Sequence, residues 1–161
     1  MTERSIDIAL TRSEAGADVE EVYESICTLA SEPELCFNYA TNEDLKKWGF
    51  SESCFSCLLK DKKDVIIQVI AKYQHFEGAS RAYDANVDYL KNNDYGNTLK
   101  TRKIGEDSIL FKKKQSDGIT YNLLFLKGVV HAAISVKYKK EKADNVDHII
   151  ELAEKIDGKI N

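Results

Sequence analysis

The 161-residue sequence predicts an α+β fold, an antiparallel sheet of about five to six strands covered by helices as an α/β/α sandwich. Three observations lead there. Two groups of period-two segments are each joined by tight turns, which makes neighbouring strands antiparallel. Segments with the helical period precede, separate and follow those groups. Within the first group, residues 65–74 are apolar on both faces, as befits a central strand with helices above and below.

Taken in order, residues 1–15 are polar with a short alternation at Ile6, Ile8 and Leu10, which reads as an edge strand or a loose tail. From Ala17 to Ser31, Val19, Val22, Tyr23, Ile26, Leu29 and Ala30 recur at three- and four-residue spacing, behind the acids Asp18, Glu20 and Glu21. That predicts an amphipathic helix, ended by Pro33, the only proline. Thr41 or Asn42 caps a short helix that stops near Gly49. Residues 53–59 and 65–74 then form a hairpin around the charged turn Lys60–Asp64. Phe76 to Asn93 carries Phe76, Ala79, Tyr83, Val87 and Leu90 on one helical stripe. A meander follows, with strands over 108–113, 119–126 and 129–138 and turns at Ser116-Asp117-Gly118 and Lys127-Gly128. On the last strand Val130, Ala132, Ile134, Val136 and Tyr138 form the core face, with His131, Ala133, Ser135 and Lys137 opposite. Asp144 caps a closing helix whose Val146, Ile149, Ile150, Ala153, Ile156 and Ile160 share one stripe.

The chain reads as one domain over 1–161, with an acidic, helix-bearing extension at 1–37 and an α+β core at 38–161. Its net charge of −4 is uneven. Residues 1–50 hold 11 acids and 4 bases, and the remainder 16 acids and 19 bases. Charged residues at 31% and apolar residues at 43% exclude wholesale disorder. No apolar run reaches the roughly 18 residues of a membrane-spanning helix. A pI near 5.5 is wrong for a general nucleic-acid binder. As written from Met1, the start lacks a basic and apolar secretory leader, which implies the cytoplasm; a signal peptide ahead of Met1 would make the protein extracytoplasmic.

The four cysteines are the foremost candidates for chemistry. Cys54 and Cys57 form C-x-x-C, and Cys27 and Cys36 are separated by eight residues. A redox C-x-x-C sits at a helix N-terminus, where the dipole favours the thiolate. Here the motif lies on a strand, so the two side chains point to opposite faces. Zinc sites pair two short-spaced thiol turns, which this spacing does not supply. The favoured reading is buried or half-buried thiols with Cys27 as a small core residue; a Cys27–Cys36 disulfide and a redox or metal-binding role for Cys54 and Cys57 are the alternatives.

His75, His131 and His148 show no ligand spacing and no nucleophile beside them. Among them His131 stands out, because the small residues Ala133 and Ser135 beside it leave room for a hollow on the sheet. Asp84-x-Asn86-x-Asp88 starts like a calcium loop but has Tyr89 where glycine is required and Tyr95 where the bidentate glutamate belongs. Lys112–Lys114 and Lys137, Lys139, Lys140 and Lys142 read as solvated strand ends that discourage edge pairing, with contact to an anionic membrane or nucleic-acid surface as the alternative. Phosphate-loop, dinucleotide and nucleophile-elbow motifs do not occur, and no cofactor is implied.

From Asn38 to Ile160 the layout resembles the PsbP-like fold, which includes uncharacterised prokaryotic lipoprotein domains. The segments that carry the resemblance are Asp44-Leu45-Lys46-Lys47-Trp48-Gly49, Val65-Ile66-Ile67-Gln68-Val69, Phe76-Glu77-Gly78-Ala79, Ile104-Gly105-Glu106-Asp107-Ser108, Leu124 to Val130, and Leu152-Ala153-Glu154-Lys155-Ile156. The resemblance implies a non-enzymatic binding or accessory module for a protein or small ligand, and brings no catalytic residue. The alternative from another class is a thiol-dependent redox or metal-binding protein that uses Cys54 and Cys57.

Overall fold

A computed structural model describes residues 3–16, 18–31 and 37–161. Among the described residues, seven antiparallel strands form one sheet of an α+β fold. They are β1 (Val19–Cys27), β2 (Phe50–Lys60), β3 (Asp64–Tyr73), β4 (Asn97–Leu99), β5 (Asp107–Gln115), β6 (Gly118–Lys127) and β7 (Val130–Tyr138). Their spatial order is β1-β2-β3-β7-β6-β5-β4. Among the described residues, five α-helices accompany them, α1 (Ser5–Ile8), α2 (Arg12–Ala15), α3 (Asn42–Lys47), α4 (Phe76–Asn92) and α5 (Asn145–Asp157), with a 3-10 turn at Leu29–Ser31.

The expected five to six strands become seven because β1 and β4 lie at the two edges, where sequence patterning is weakest. Residues 19–27 form a strand and not the predicted helix. Only Val19 and Cys27 of β1 are buried, while Val22 and Tyr23 are exposed, so the three- and four-residue spacing is not a core stripe. A bulge between Glu21 and Tyr23 shifts the pairing with β2 and breaks the period-two signature. The β-branched and aromatic residues there suit a strand once a partner offers its edge. Residues 1–15 also differ from the expected edge strand or tail. Two single-turn helices, α1 and α2, bury Ile8 and Ala15, and Ile8, Ala9 and Leu10 join the larger core. Ala17 and residues 32–36, which include Pro33 and Cys36, lie outside the described residues.

The remaining predicted elements are present, with two differences: Phe76, expected on the buried stripe of α4, is exposed, and Asp144 stands at the N-cap of α5 without a side-chain cap hydrogen bond. The β2–β3 turn is tight enough to put Asp61 and Lys62 at positive φ. Thr41 caps α3 reciprocally with Asp44: the Asp44 N–H donates to Thr41 Oγ1 at 3.2 Å, and the Thr41 N–H donates to Asp44 Oδ2 at 3.0 Å. α4 carries the chain from the end of β3 to the far edge at β4, and α5 follows β7. Close approach at α4 depends on Gly78, because a Cβ there would stand 1.8 Å from the Trp48 carbonyl oxygen.

Strand alternation divides the interior into two cores. One face packs Leu58, Ile66, Ile70, Leu123, Phe125, Ala132 and Val136 against α5 and the α1–α2 segment. The other packs Ala71, Tyr73, Phe111, Leu124 and Leu126 against α3, α4 and Phe37. The second core holds fewer buried residues, and it is where the candidate site lies.

Candidate functional site

On the α4 face, strand registers align three rows of side chains across β2, β3, β7 and β6. The first row runs Ser53, Ala71, His131, Leu126; the second Phe55, Val69, Ala133, Leu124; the third Cys57, Ile67, Ser135, Asn122. A methyl group is therefore all that β7 offers at the middle of the sheet. Phe55, Ile67, Val69, Ala133, Ser135 and Asn122 are each half-buried, whereas their neighbours in the chain on the opposite face are buried. The result is a pocket of about 300 Å³ walled by Asn86, Tyr89 and Leu90 of α4, by Tyr95, and by Phe37–Tyr39. The hollow expected beside His131 is present, with His131, Ala133 and Ser135 all in its lining.

His131 anchors one end. It is 2% exposed and fully engaged: Asn86 Nδ2 donates to its Nε2 at 2.9 Å, and its Nδ1–H donates to the Phe125 carbonyl at 3.3 Å. Those partners place the ring proton on Nδ1. Tyr83 and Tyr39 meet the ring edge-on, with centroids 5.7 and 6.0 Å away. Burial lowers the imidazole pKa to about 4 against the opposing pull of the Phe125 carbonyl, so His131 is neutral at physiological pH. Burial, reinforced by the neighbouring Tyr73 hydroxyl, pushes the Tyr39 phenol upward.

At the other end Asn122 and Ser135 face each other across β6 and β7. Among the described residues neither side chain makes a hydrogen bond to the protein. Tyr89 and Tyr95 stand beside them with ring centroids 5.9 Å apart. The pocket thus has apolar and aromatic walls with a few convergent polar groups, the usual makeup of a small-molecule site.

The other sequence candidates fall elsewhere. Cys54 and Cys57 lie on β2 as free thiols whose side chains take opposite faces, the first buried and the second half-buried. Burial, together with Glu24, Glu52 and Glu21, pushes the Cys54 thiol up to about 12, away from the thiolate that redox or metal chemistry uses. Cys27 is buried at the end of β1 opposite Ser53, and Cys36 is outside the described residues. Asp84, Asn86 and Asp88 sit on α4, which is no calcium loop; Asn86 instead points into the pocket. Among the described residues no His, Cys, Asp and Glu cluster could hold a metal ion, and no helix is long and apolar enough to cross a membrane.

The first lysine run is occupied by acids, Lys112 and Lys114 pairing with Glu141 and Lys113 with Asp94; of the second, Lys137 pairs with Asp117, while Lys139, Lys140 and Lys142 line a cleft. This larger cleft of about 770 Å³ lies between the β2–β3 turn and the start of α5. Lysines and acids alternate around it, and His148 Nδ1 lies 2.6 Å from the Tyr138 hydroxyl. Five lysines and five acids line it with no net charge and open to solvent, where their attraction for a ligand is screened.

Sequence reasoning did not identify Phe55, Asn86, Asn122, Tyr89, Tyr95 or the Phe37–Tyr39 wall. One signal was present: Asn86 interrupts the apolar stripe of α4 between Tyr83 and Leu90, and a polar residue there needs a buried partner.

No family model and no curated protein matches this chain. Its structure is similar to that of the extracellular domain of PknH from Mycobacterium tuberculosis, with a TM-score of 0.59 at 10% sequence identity over 96% of this chain and 95% of that one. A putative uncharacterized protein from Mycobacterium smegmatis aligns over 93% of both chains at 9% identity with a TM-score of 0.42. At such identity the PknH likeness concerns the fold alone.

Proposed function

We propose that this protein is a non-enzymatic binding module that holds a small molecule between α4 and the sheet. The observation that carries the reading is the roughly 300 Å³ pocket built over Ala133, with polar groups converging from β6, β7 and α4. Fold likeness to a PknH extracellular domain is compatible with a module of this kind. The PsbP-like segments belong to the same reading, because that resemblance implies an accessory role without catalytic residues.

A fragment screen followed by 1H–15N NMR tests it. Ligand-induced shifts are expected to cluster at Asn86, Tyr89, Asn122, Ala133 and Ser135. They are expected to vanish in Ala133→Phe, whose ring fills the hollow, with thermal stability unchanged. Hits confined to the lysine-lined cleft, or hits indifferent to Ala133→Phe, overturn the proposal.

A further inference from the structure

Resting on that binding reading, we infer that the pocket selects an uncharged one- or two-ring molecule whose edge both donates and accepts hydrogen bonds, as an amide edge does. Three observations narrow the class to this.

The first is charge. Among the described residues, the sixteen that line the pocket include no Asp, Glu, Lys or Arg, in a chain that is 31% charged. The one basic side chain, His131, is held neutral by burial and has both ring nitrogens engaged. A charged ligand would lose its hydration there without a free countercharge, since Asp94 and Lys113 in the groove that adjoins Asn122 and Ser135 pair with each other; an uncharged analogue avoids that cost.

The second is shape. The floor is a pleated sheet surface made by Val69 and Ala133, and the flanks carry the rings of Tyr39, Phe55, Tyr89 and Tyr95. A planar ring lies flat on such a floor and meets aromatic edges at its sides. A volume of about 300 Å³ equals the liquid share of about ten waters, which is room for one or two fused rings and a short substituent.

The third is the polar end. The Asn122 carboxamide both donates and accepts, and the Ser135 hydroxyl does the same. With no protein partner among the described residues, this cross-strand pair is left to match a ligand edge that carries both functions. A site built to hydrogen-bond a ligand rejects analogues that leave its polar groups unmatched.

The test is a matched set of probes with one ring system: indole-3-acetamide, indole-3-acetate and tryptamine, titrated into the full chain by NMR. The amide is expected to bind about tenfold or more tightly than either ion, with shifts at Ala133, Ser135 and Asn122. The double variant Asn122→Ala, Ser135→Ala is expected to erase most of that preference while the ring still binds. If the acetate or tryptamine binds at those residues as well as the amide does, the ligand class is overturned and the binding module stands. Tryptamine in the lead would make the tyrosines a cation-binding cage instead. If none of the three perturbs the pocket at millimolar concentration, both the class and the binding reading fall.

Discussion

Alternate residues of β7 live in two different environments. Val130, Ala132, Ile134, Val136 and Tyr138 enter the core under α5 and are all buried, whereas Ala133 and Ser135 between them remain half-open beneath α4. The two faces share every strand, twist and register, so the difference comes only from the side chains and from what lies above them. Under α5 the α1–α2 segment completes the cover with Ile8, Ala9, Leu10 and Ala15. Over the other face, α4 packs on β3, β7 and β6 and the Phe37–Tyr39 wall adds only an edge. One face is filled to hold the fold together, and the other leaves space that a ligand can use.

Side-chain volume separates the two faces most strongly. Leu123 is fully buried on the α5 face, and Leu123→Ala removes contacts that nothing nearby can replace, at a cost of about 2–5 kcal/mol in urea unfolding. The opposite change on the other face, Ala133→Leu, adds bulk where the structure has room and is expected to stay within about 1 kcal/mol of wild type. Comparable losses for the two substitutions would mean that the α4 face is packed as tightly as its opposite.

The two faces also differ in their response to pH. His131 is neutral in the folded state with a pKa near 4, against an ordinary value of 6.5. As pH falls below 6.5 the unfolded chain takes up a proton that the folded one refuses, so stability is lost progressively down to about pH 4 and levels off beneath it for this group. The full loss is about 3 kcal/mol, since each pKa unit is worth about 1.4 kcal/mol. His148, also lowered by burial and by Lys60, adds a contribution of the same sign. Unfolding curves at pH 7 and pH 4.5 check this: His131→Gln is expected to show a shallower decline than wild type. Equal declines would place the acid sensitivity elsewhere.

The two faces were also unequally legible from sequence. The hydrophobic periods located β2, β3, β5, β6, β7, α4 and α5, because each buries a regular stripe. β1 escaped, since as an edge strand with a bulge it exposes Val22 and Tyr23 and its apolar spacing imitates a helix. β4 has three residues and too little pattern to register. At the site, small residues flanking a histidine on one strand were enough to locate the hollow. Its walls were not, because Phe55, Asn86, Asn122 and Tyr95 become neighbours only through strand pairing and the placement of α4. Sequence separation hides such partners unless a polar residue on an apolar stripe calls for one, as Asn86 does.

The smallest effect isolates that residue. Asn86 is 8% exposed, and its amide donates to the imidazole nitrogen of His131 that has no other partner. Asn86→Ala leaves a buried acceptor unsatisfied, at a cost of about 1–3 kcal/mol. Asn86→Leu removes the donor while keeping bulk, so comparing the two separates the lost hydrogen bond from the lost packing. Pairing each with His131→Phe completes the argument. If the hydrogen bond is what matters, Asn86→Leu should cost much less once the imidazole is gone, because no acceptor remains to be orphaned. Strict additivity in that cycle would show that Asn86 and His131 act on the α4 face independently. The His131 end beneath Tyr39 and Tyr83 would then be a matter of packing alone.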